Sequence, residues 1–198
     1  MKFTEAIKIK NGKIHNLRYH QSRVDRTVDA FGLKKINLSE ALAEIPNAAK
    51  KGLIKCRVLY GKKIESIEFT PYQFQQRKRV ALVSAGDLDY QFKYADRENL
   101  NAFHQKDKFD DIIFIKNGFV TDSLSANLVF ENKNGLFTPK TYLLAGTKRA
   151  LLLEKGIIQE IEISKNDITF YQKIRFINAM MDLEDDIAID VSEVETYS

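Results

Sequence analysis

The sequence predicts a two-lobed α+β protein, with a small N-terminal α+β lobe over residues 1–85 and a strand-rich lobe over 86–198. Three observations predict it. Apolar and polar residues alternate with period two through much of the chain, the mark of half-buried strands. Helical spacing interrupts that alternation only in short windows. The composition then shifts near residues 80–93, after which strand-like runs dominate. With 198 residues, 44% apolar and 29% charged, the chain is long enough to enclose a normal core without disulfide or metal staples.

"FTEAIKIKNGKIHNLRYH" alternates on either side of Asn11-Gly12, a pair suited to a tight turn with two positive φ angles, so a hairpin is predicted. "HQSRVDRTVDAFG" changes to helical spacing, with Val24, Val28 and Phe31 on one stripe and Gly32 as the stop. "LSEALAEIPNAAKKG" predicts a helix opened by Ser39, with Leu42 and Ile45 inward and Pro46 as an interruption. "LIKCRVLYGKKIESIEFTPYQ" returns to strand pattern with a turn at Gly61, and "RVALVSAGDL" is a further strand. "RENLNAFHQKDKFD" predicts a helix with Leu100 and Phe103 inward. "DIIFIKNGFVTDSLSANLVFENKNGLFTP" is strand-rich, with turns at Asn117-Gly118 and Asn134-Gly135. "GTKRALLLEKG" is a helix beginning at a glycine and ending at Gly156, and "IIQEIEISKNDI" and "IRFINAMM" read as strands.

Cys56 is the single cysteine, so no internal disulfide forms. The opening residues "MKFTEAIKIKNG" carry no long apolar run, and no segment has the roughly 18 apolar residues of a membrane span. These features predict a cytoplasmic protein without a membrane partner. The net charge is +4. Its basic clusters, "KK" at 34–35, 50–51 and 62–63 and "RKR" at 77–79, are interleaved with acidic residues and accompany no nucleic-acid motif. They read as solvated surface that would draw in an anionic substrate, and no nucleic-acid partner is expected. No Cys/His spacing suggests a metal, and no G-x-S-x-G is present.

Four features carry chemistry. Lys93, in "FKYADRENL", is an amine beside apolar neighbours, where the neutral form becomes accessible and can condense with an aldehyde. Its ordinary reading is a surface lysine with a buried stem. Asp122, in "NGFVTDSLSANLVF", is a carboxylate among Thr121, Ser123, Ser125 and Asn127. It could hold a positive partner such as a pyridinium nitrogen, or simply organise a turn. Gly146, Thr147 and Lys148 open a helix, whose unpaired N–H groups favour a phosphate. Arg23 and Arg26, three apart on a helix, offer a fork for the same group or a solvated cationic face. His20 reads as structural. An aldehyde, a ring nitrogen and a phosphate are the three groups of pyridoxal 5′-phosphate.

The stretch "FIKNGFVTDSLSANLVFENKNGLFTP…LLAGTKRALLLEKG" resembles the signature of class IV aminotransferases and 4-amino-4-deoxychorismate lyases, the fold-type-IV, D-amino acid aminotransferase-like pyridoxal-phosphate enzymes. "KYADR" is similar to the lyases' Lys-x-x-Asn-Arg, "HQSRV" to the family's His-x-x-Arg-Leu, and "INAMMD" to an Asn-Ala-Leu/Met stretch of the lyases. The resemblance runs from about Phe3 to Asp182. It implies that Lys93 is the catalytic lysine that condenses with the cofactor aldehyde. It implies further that Asp122 faces the pyridine nitrogen, with Asn127 supporting it. Arg23 would bind the phosphate together with the backbone at Thr147 and Lys148. Several positions depart from the family pattern. Asp122 stands where glutamate is usual, Lys148 where a threonine normally binds phosphate, and Ala179 offers no hydroxyl. Phe3-Thr4-Glu5 corresponds to a stretch that typical members reach only after a further segment, so the chain reads as a short, N-terminally truncated member. The implied activity is a 4-amino-4-deoxychorismate lyase-like reaction forming 4-aminobenzoate, a folate precursor, plus pyruvate. The alternatives are a transaminase of branched-chain or D-amino acids and a non-catalytic relative that binds the cofactor. The resemblance also implies a homodimer and a small-molecule amino substrate.

Overall fold

The computed structural model describes residues 1–196. The chain divides into two compact units. The first comprises Met1–Gln73 with the short return segment Phe92–Asp96, and the second Phe74–Gln91 with Arg97–Ser198. The sequence reading instead places the division at residues 85 and 86. The difference lies in Val80–Ser84, a strand whose hydrogen-bonding neighbours all belong to the second unit.

In the first unit, β1 (Phe3–Lys10), β2 (Lys13–Ile14), β3 (Leu53–Tyr60) and β4 (Ile64–Pro71) form an antiparallel sheet in the order β2-β1-β3-β4. The hairpin turn has φ of 50° at Asn11 and 78° at Gly12, the all-positive pair that an Asn-Gly turn favours. Strand β3 alternates strictly, burying Ile54, Cys56, Val58 and Tyr60. Those side chains meet Phe3, Ile7 and Ile9 of β1 and Val24 and Val28 of helix α1 (Leu17–Ala30) in one core. Helix α2 is a single turn, Leu38–Ala41, capped by Asn37 rather than Ser39; the Asn37 side chain accepts from the Ser39 and Glu40 amides. The longer helix expected here stops after this one turn, with Leu42 as its C-cap, and Pro46 caps the next short turn, Asn47–Ala49.

The second unit is built on one extended sheet. Its strands are β5 (Val80–Ser84), β6 (Asp111–Lys116), β7 (Phe119–Ser123), β8 (Asn127–Asn132), β9 (Gly135–Pro139), β10 (Gln159–Ile161), β11 (Lys173–Ile177), β12 (Ala188–Asp190) and β13 (Val194–Thr196). The main path runs β10-β9-β8-β7-β6-β5-β13, and β11 pairs with both β8 and β12. The pairs β5–β6, β5–β13 and β9–β10 are parallel and the others antiparallel. The register pair joining β7 to β8 is Asp122 opposite Asn127, so the two candidate site residues stand at a junction of the sheet. Helix α3 is reduced to Glu98–Asn101, because the charged stretch after Phe103 buries only Phe109. Helix α4 (Thr147–Glu154) starts and stops as predicted, at Gly146 and before Gly156 with φ 64°. Among the described residues, no helix is long and apolar enough to cross a membrane.

Candidate active site

In the first unit, the two-residue period of β1 sets Phe3, Glu5, Ile7 and Ile9 on one buried face. A carboxylate on an inward face must find partners or it will not stay charged. Helix α1 supplies them, since His20, Arg23 and Thr27 share its buried stripe with Val24 and Val28. Arg23 donates from Nε to Glu5 Oε1 at 2.8 Å and from Nη2 to Oε2 at 2.6 Å. His20 Nδ1 lies 2.6 Å from Oε2. A carboxylate only accepts, so Nδ1 carries the hydrogen, and the buried Nε2 has no hydrogen-bond partner. Burial alone would push the Glu5 carboxyl up, but the Arg23 charge and the His20 and Arg23 hydrogen bonds outweigh it and hold the group at about 2. Burial lowers His20 below its ordinary value; Glu5 opposes this, while the Arg23 and Lys93 charges reinforce it. Arg26, the other member of the expected pair, lies exposed.

Lys93 belongs to the same unit. Its carbonyl accepts the Thr4 amide at 2.9 Å, the Ala95 amide donates to the Lys2 carbonyl at 2.9 Å, and Tyr94 bridges to Phe3. This short return strand lies along the start of β1. Phe3, Phe31, Phe92 and Tyr94 form an aromatic cluster, with Phe31 4.8 Å from Phe3 and 4.9 Å from Phe92 between ring centroids. Lys93 is half-buried between two members of that cluster.

In the second unit, Asp122 is buried and both carboxylate oxygens are held. Asn127 Nδ2 donates to Oδ1 at 2.7 Å, and the Leu143 and Leu144 amides donate to Oδ2 at 3.1 and 2.8 Å. Burial nevertheless dominates these bonds and pushes the carboxyl up to about 6. Asn127 Nδ2 also donates to the Leu144 carbonyl at 3.0 Å, which ties the strand to the loop leading into α4. Gly146 closes that loop. A side chain there would place its Cβ 1.7 Å from Asn127 Oδ1, so glycine is required for close approach and not for its φ of −75°. Thr147 is buried, and its Oγ1 has no hydrogen-bond partner. Lys148 is buried and forms an ion pair with Asp182. The structure therefore brings Asp122, Asn127 and Gly146 together, with Thr147 and Lys148 at the adjoining helix start.

The sequence reading did not anticipate the clamp on the turn between β7 and β8. Asp111 Oδ1 accepts the Leu124 amide at 3.1 Å, Arg97 donates to the Leu124 carbonyl, Arg77 Nη2 reaches Ser125 Oγ at 3.3 Å, and Asn178 Nδ2 reaches the Ser125 carbonyl at 3.0 Å. Glu5 is a second omission, and a signal for it existed: a carboxylate on the inward register of β1, facing a His-x-x-Arg stripe.

The sequence profile of amino-transferase class IV matches residues 2–183. An uncharacterized protein of Haemophilus influenzae is 38% identical over 181 residues, covering 89% of this chain and 96% of that protein. A crystal structure from Haemophilus somnus, provisionally assigned as a 4-amino-4-deoxychorismate lyase, superposes with a TM-score of 0.83 at 35% identity, covering 90% of this chain and 96% of that one. A hypothetical aminotransferase of Mycobacterium tuberculosis, solved in a form with pyridoxal phosphate bound, shares the fold with a TM-score of 0.79 at 16% identity, covering 98% and 81%. The chain thus belongs to the class IV aminotransferase family and is a pyridoxal-phosphate-dependent enzyme.

Proposed function

We propose that the protein is a lyase acting on 4-amino-4-deoxychorismate, releasing 4-aminobenzoate and pyruvate with pyridoxal 5′-phosphate as cofactor. The observation that carries the cofactor reading is the arrangement around Gly146. A fully held, buried carboxylate stands beside a helix start whose Thr147 hydroxyl is buried and unpartnered. The hydroxyl and the first-turn amides suit a phosphate, and the carboxylate suits a protonated ring nitrogen. The residues fit the group.

When bound, pyridoxal phosphate supplies an aldehyde for an amine and a ring that takes up the electron pair left at the substrate's α-carbon. Lys93 would provide the amine for that aldehyde and a base to move the proton at the α-carbon. The main-chain bond from Thr4 fixes its backbone without using its side chain. Asp122 would hold the protonated ring nitrogen, a positive partner that favours its ionised form; Asn127 and the Leu143 and Leu144 amides keep both its oxygens from turning away. Arg23 is assigned to the phosphate, and Glu5, which takes hydrogens of its Nε and Nη2, sets the orientation of the guanidinium.

The choice of lyase is supported by the Haemophilus somnus structure at 35% identity. It is supported too by "KYADR" and "INAMMD", which resemble the lyases where many aminotransferases carry Ser/Gly-Thr in the latter segment. The homodimer implied by the resemblance belongs to the same proposal, and sedimentation velocity reads it. The deciding experiment incubates the purified protein with pyridoxal phosphate and 4-amino-4-deoxychorismate and follows 4-aminobenzoate by chromatography. Its appearance, abolished by Lys93→Ala, is the expected result. Amine transfer from branched-chain or D-amino acids to 2-oxoglutarate, without 4-aminobenzoate, would make the protein a transaminase. Cofactor binding with neither activity would make it a non-catalytic relative.

A further inference from the structure

We propose that the Lys148–Asp182 ion pair sets how strongly the start of α4 holds a phosphate, with Asp182 acting as an internal competitor and Lys148 as its neutraliser. The proposal rests on the assignment of that helix start to the cofactor phosphate. Lys148 is the second residue of α4 and only 6% exposed. Its ammonium is committed to the Asp182 carboxylate, whose side chain is 30% exposed. Asp182 is held independently of the lysine: it caps the short turn Leu183–Asp185, and its amide donates to Asp185 Oδ2 at 2.8 Å. The next cation along the helix is also spent within the chain, because Arg149 donates to the Pro139 carbonyl at 2.9 Å and pairs with Glu160. Both cationic side chains of the first turn therefore face carboxylates of this protein. What α4 itself offers an anion is its first-turn amides and the unpartnered Thr147 hydroxyl, its own cationic side chains being paired within the chain.

A carboxylate near a helix N-terminus is itself favoured by the positive end of the helix. Asp182 thus competes with an incoming phosphate for both the lysine and the local field. Removing its charge leaves the ammonium of Lys148 available to the anion. Removing the lysine instead takes from the Asp182 carboxylate the counter-charge that α4 supplies. The two substitutions break the same bond and yet act in opposite directions. A pair that served only to hold the 182–185 turn would make both act alike.

The test measures the Kd of pyridoxal phosphate by absorbance titration, and that of inorganic phosphate by calorimetry, in Asp182→Asn, Lys148→Met, the double variant and Lys148→Arg. Asp182→Asn should bind both anions about tenfold more tightly and Lys148→Met about tenfold more weakly, the gap narrowing as salt screens it. The double variant should lie near wild type, and Lys148→Arg, which keeps the charge, should match it. Melting temperatures separate folding losses from binding. Single variants that move affinity in the same direction, or not at all, overturn the proposal. Thr147→Val separates this from the underlying assignment: if it leaves phosphate affinity unchanged, the α4 site itself fails. If it weakens phosphate while the charge variants move together, only the ion-pair proposal fails.

Discussion

Replacing Glu5 with glutamine is expected to destabilise the first unit by about 3–5 kcal/mol at pH 7, the usual cost of leaving a buried charge without its partner. The geometry makes the loss severe. Glu5 has no exposed surface, and its two oxygens take two bonds from Arg23 and one from His20, at 2.6–2.8 Å. Glutamine keeps one acceptor oxygen but turns the other position into a donor facing a guanidinium. Proton linkage supports a similar size. Arg23 and His20 hold the Glu5 carboxyl at about 2 against an ordinary 4.5, which corresponds to about 3 kcal/mol. Because the folded-state value is depressed, this stability is present above pH 4.5 and is lost as pH falls toward 2. The gap between wild type and Glu5→Gln should therefore be full at pH 7 and close progressively below pH 4.5. The chain has no tryptophan, so urea unfolding is followed by tyrosine fluorescence and far-UV circular dichroism across that range. A variant within 1 kcal/mol of wild type at pH 7, or a gap that ignores pH, would refute the reasoning.

Asp122 carries the opposite sign. Burial raises it from 3.8 to about 6, so its contribution is best at low pH and declines as pH rises through about 6, by about 3 kcal/mol in all. Unfolding of the cofactor-free protein between pH 4 and 7 should show this decline in wild type and not in Asp122→Asn; equal profiles would show that the carboxyl is not strained by burial. Gly146→Ala should displace Asn127, since the new Cβ would fall 1.7 Å from its Oδ1. Losing the Asn127 bonds to Asp122 and Leu144 costs about 1–3 kcal/mol in melting experiments and weakens pyridoxal phosphate binding; an alanine variant with wild-type stability would mean that Asn127 moves freely. Lys93→Ala should abolish the visible absorbance band that wild type develops with pyridoxal phosphate. It should leave the melting temperature within a few degrees, because the Thr4–Lys93 bond is main chain to main chain. A persisting band would remove Lys93 from the proposal.

Much of the architecture was legible because local rules and tertiary packing agree. The Asn11-Gly12 and Asn117-Gly118 turns adopt the positive φ pairs their residues favour, and α4 begins and ends at its glycines. Helices α2 and α3 fell short of their predicted lengths, α2 although Leu42 and Ile45 still pack into the core, and α3 where the charged stretch after Phe103 buries only Phe109. The resemblance singled out, as candidate functional residues, Arg23, Lys93, Asp122, Asn127, Gly146, Thr147 and Lys148, as residue types in an order. It did not say what each side chain touches. Asp122 and Asn127, five apart in sequence, become opposite partners only through strand register.

The sequence by itself determined the strand alternation, the turns, the helix start at Gly146 and the family, because each is written in short-range spacing or in an ordered set of motifs. The tertiary structure alone decided that Arg23 is clasped by Glu5, that Lys148 turns to Asp182, and that Gly146 must be glycine to admit Asn127. Those are contacts between residues far apart along the chain, and the free energy of a buried charge depends on which opposite charge folding brings beside it.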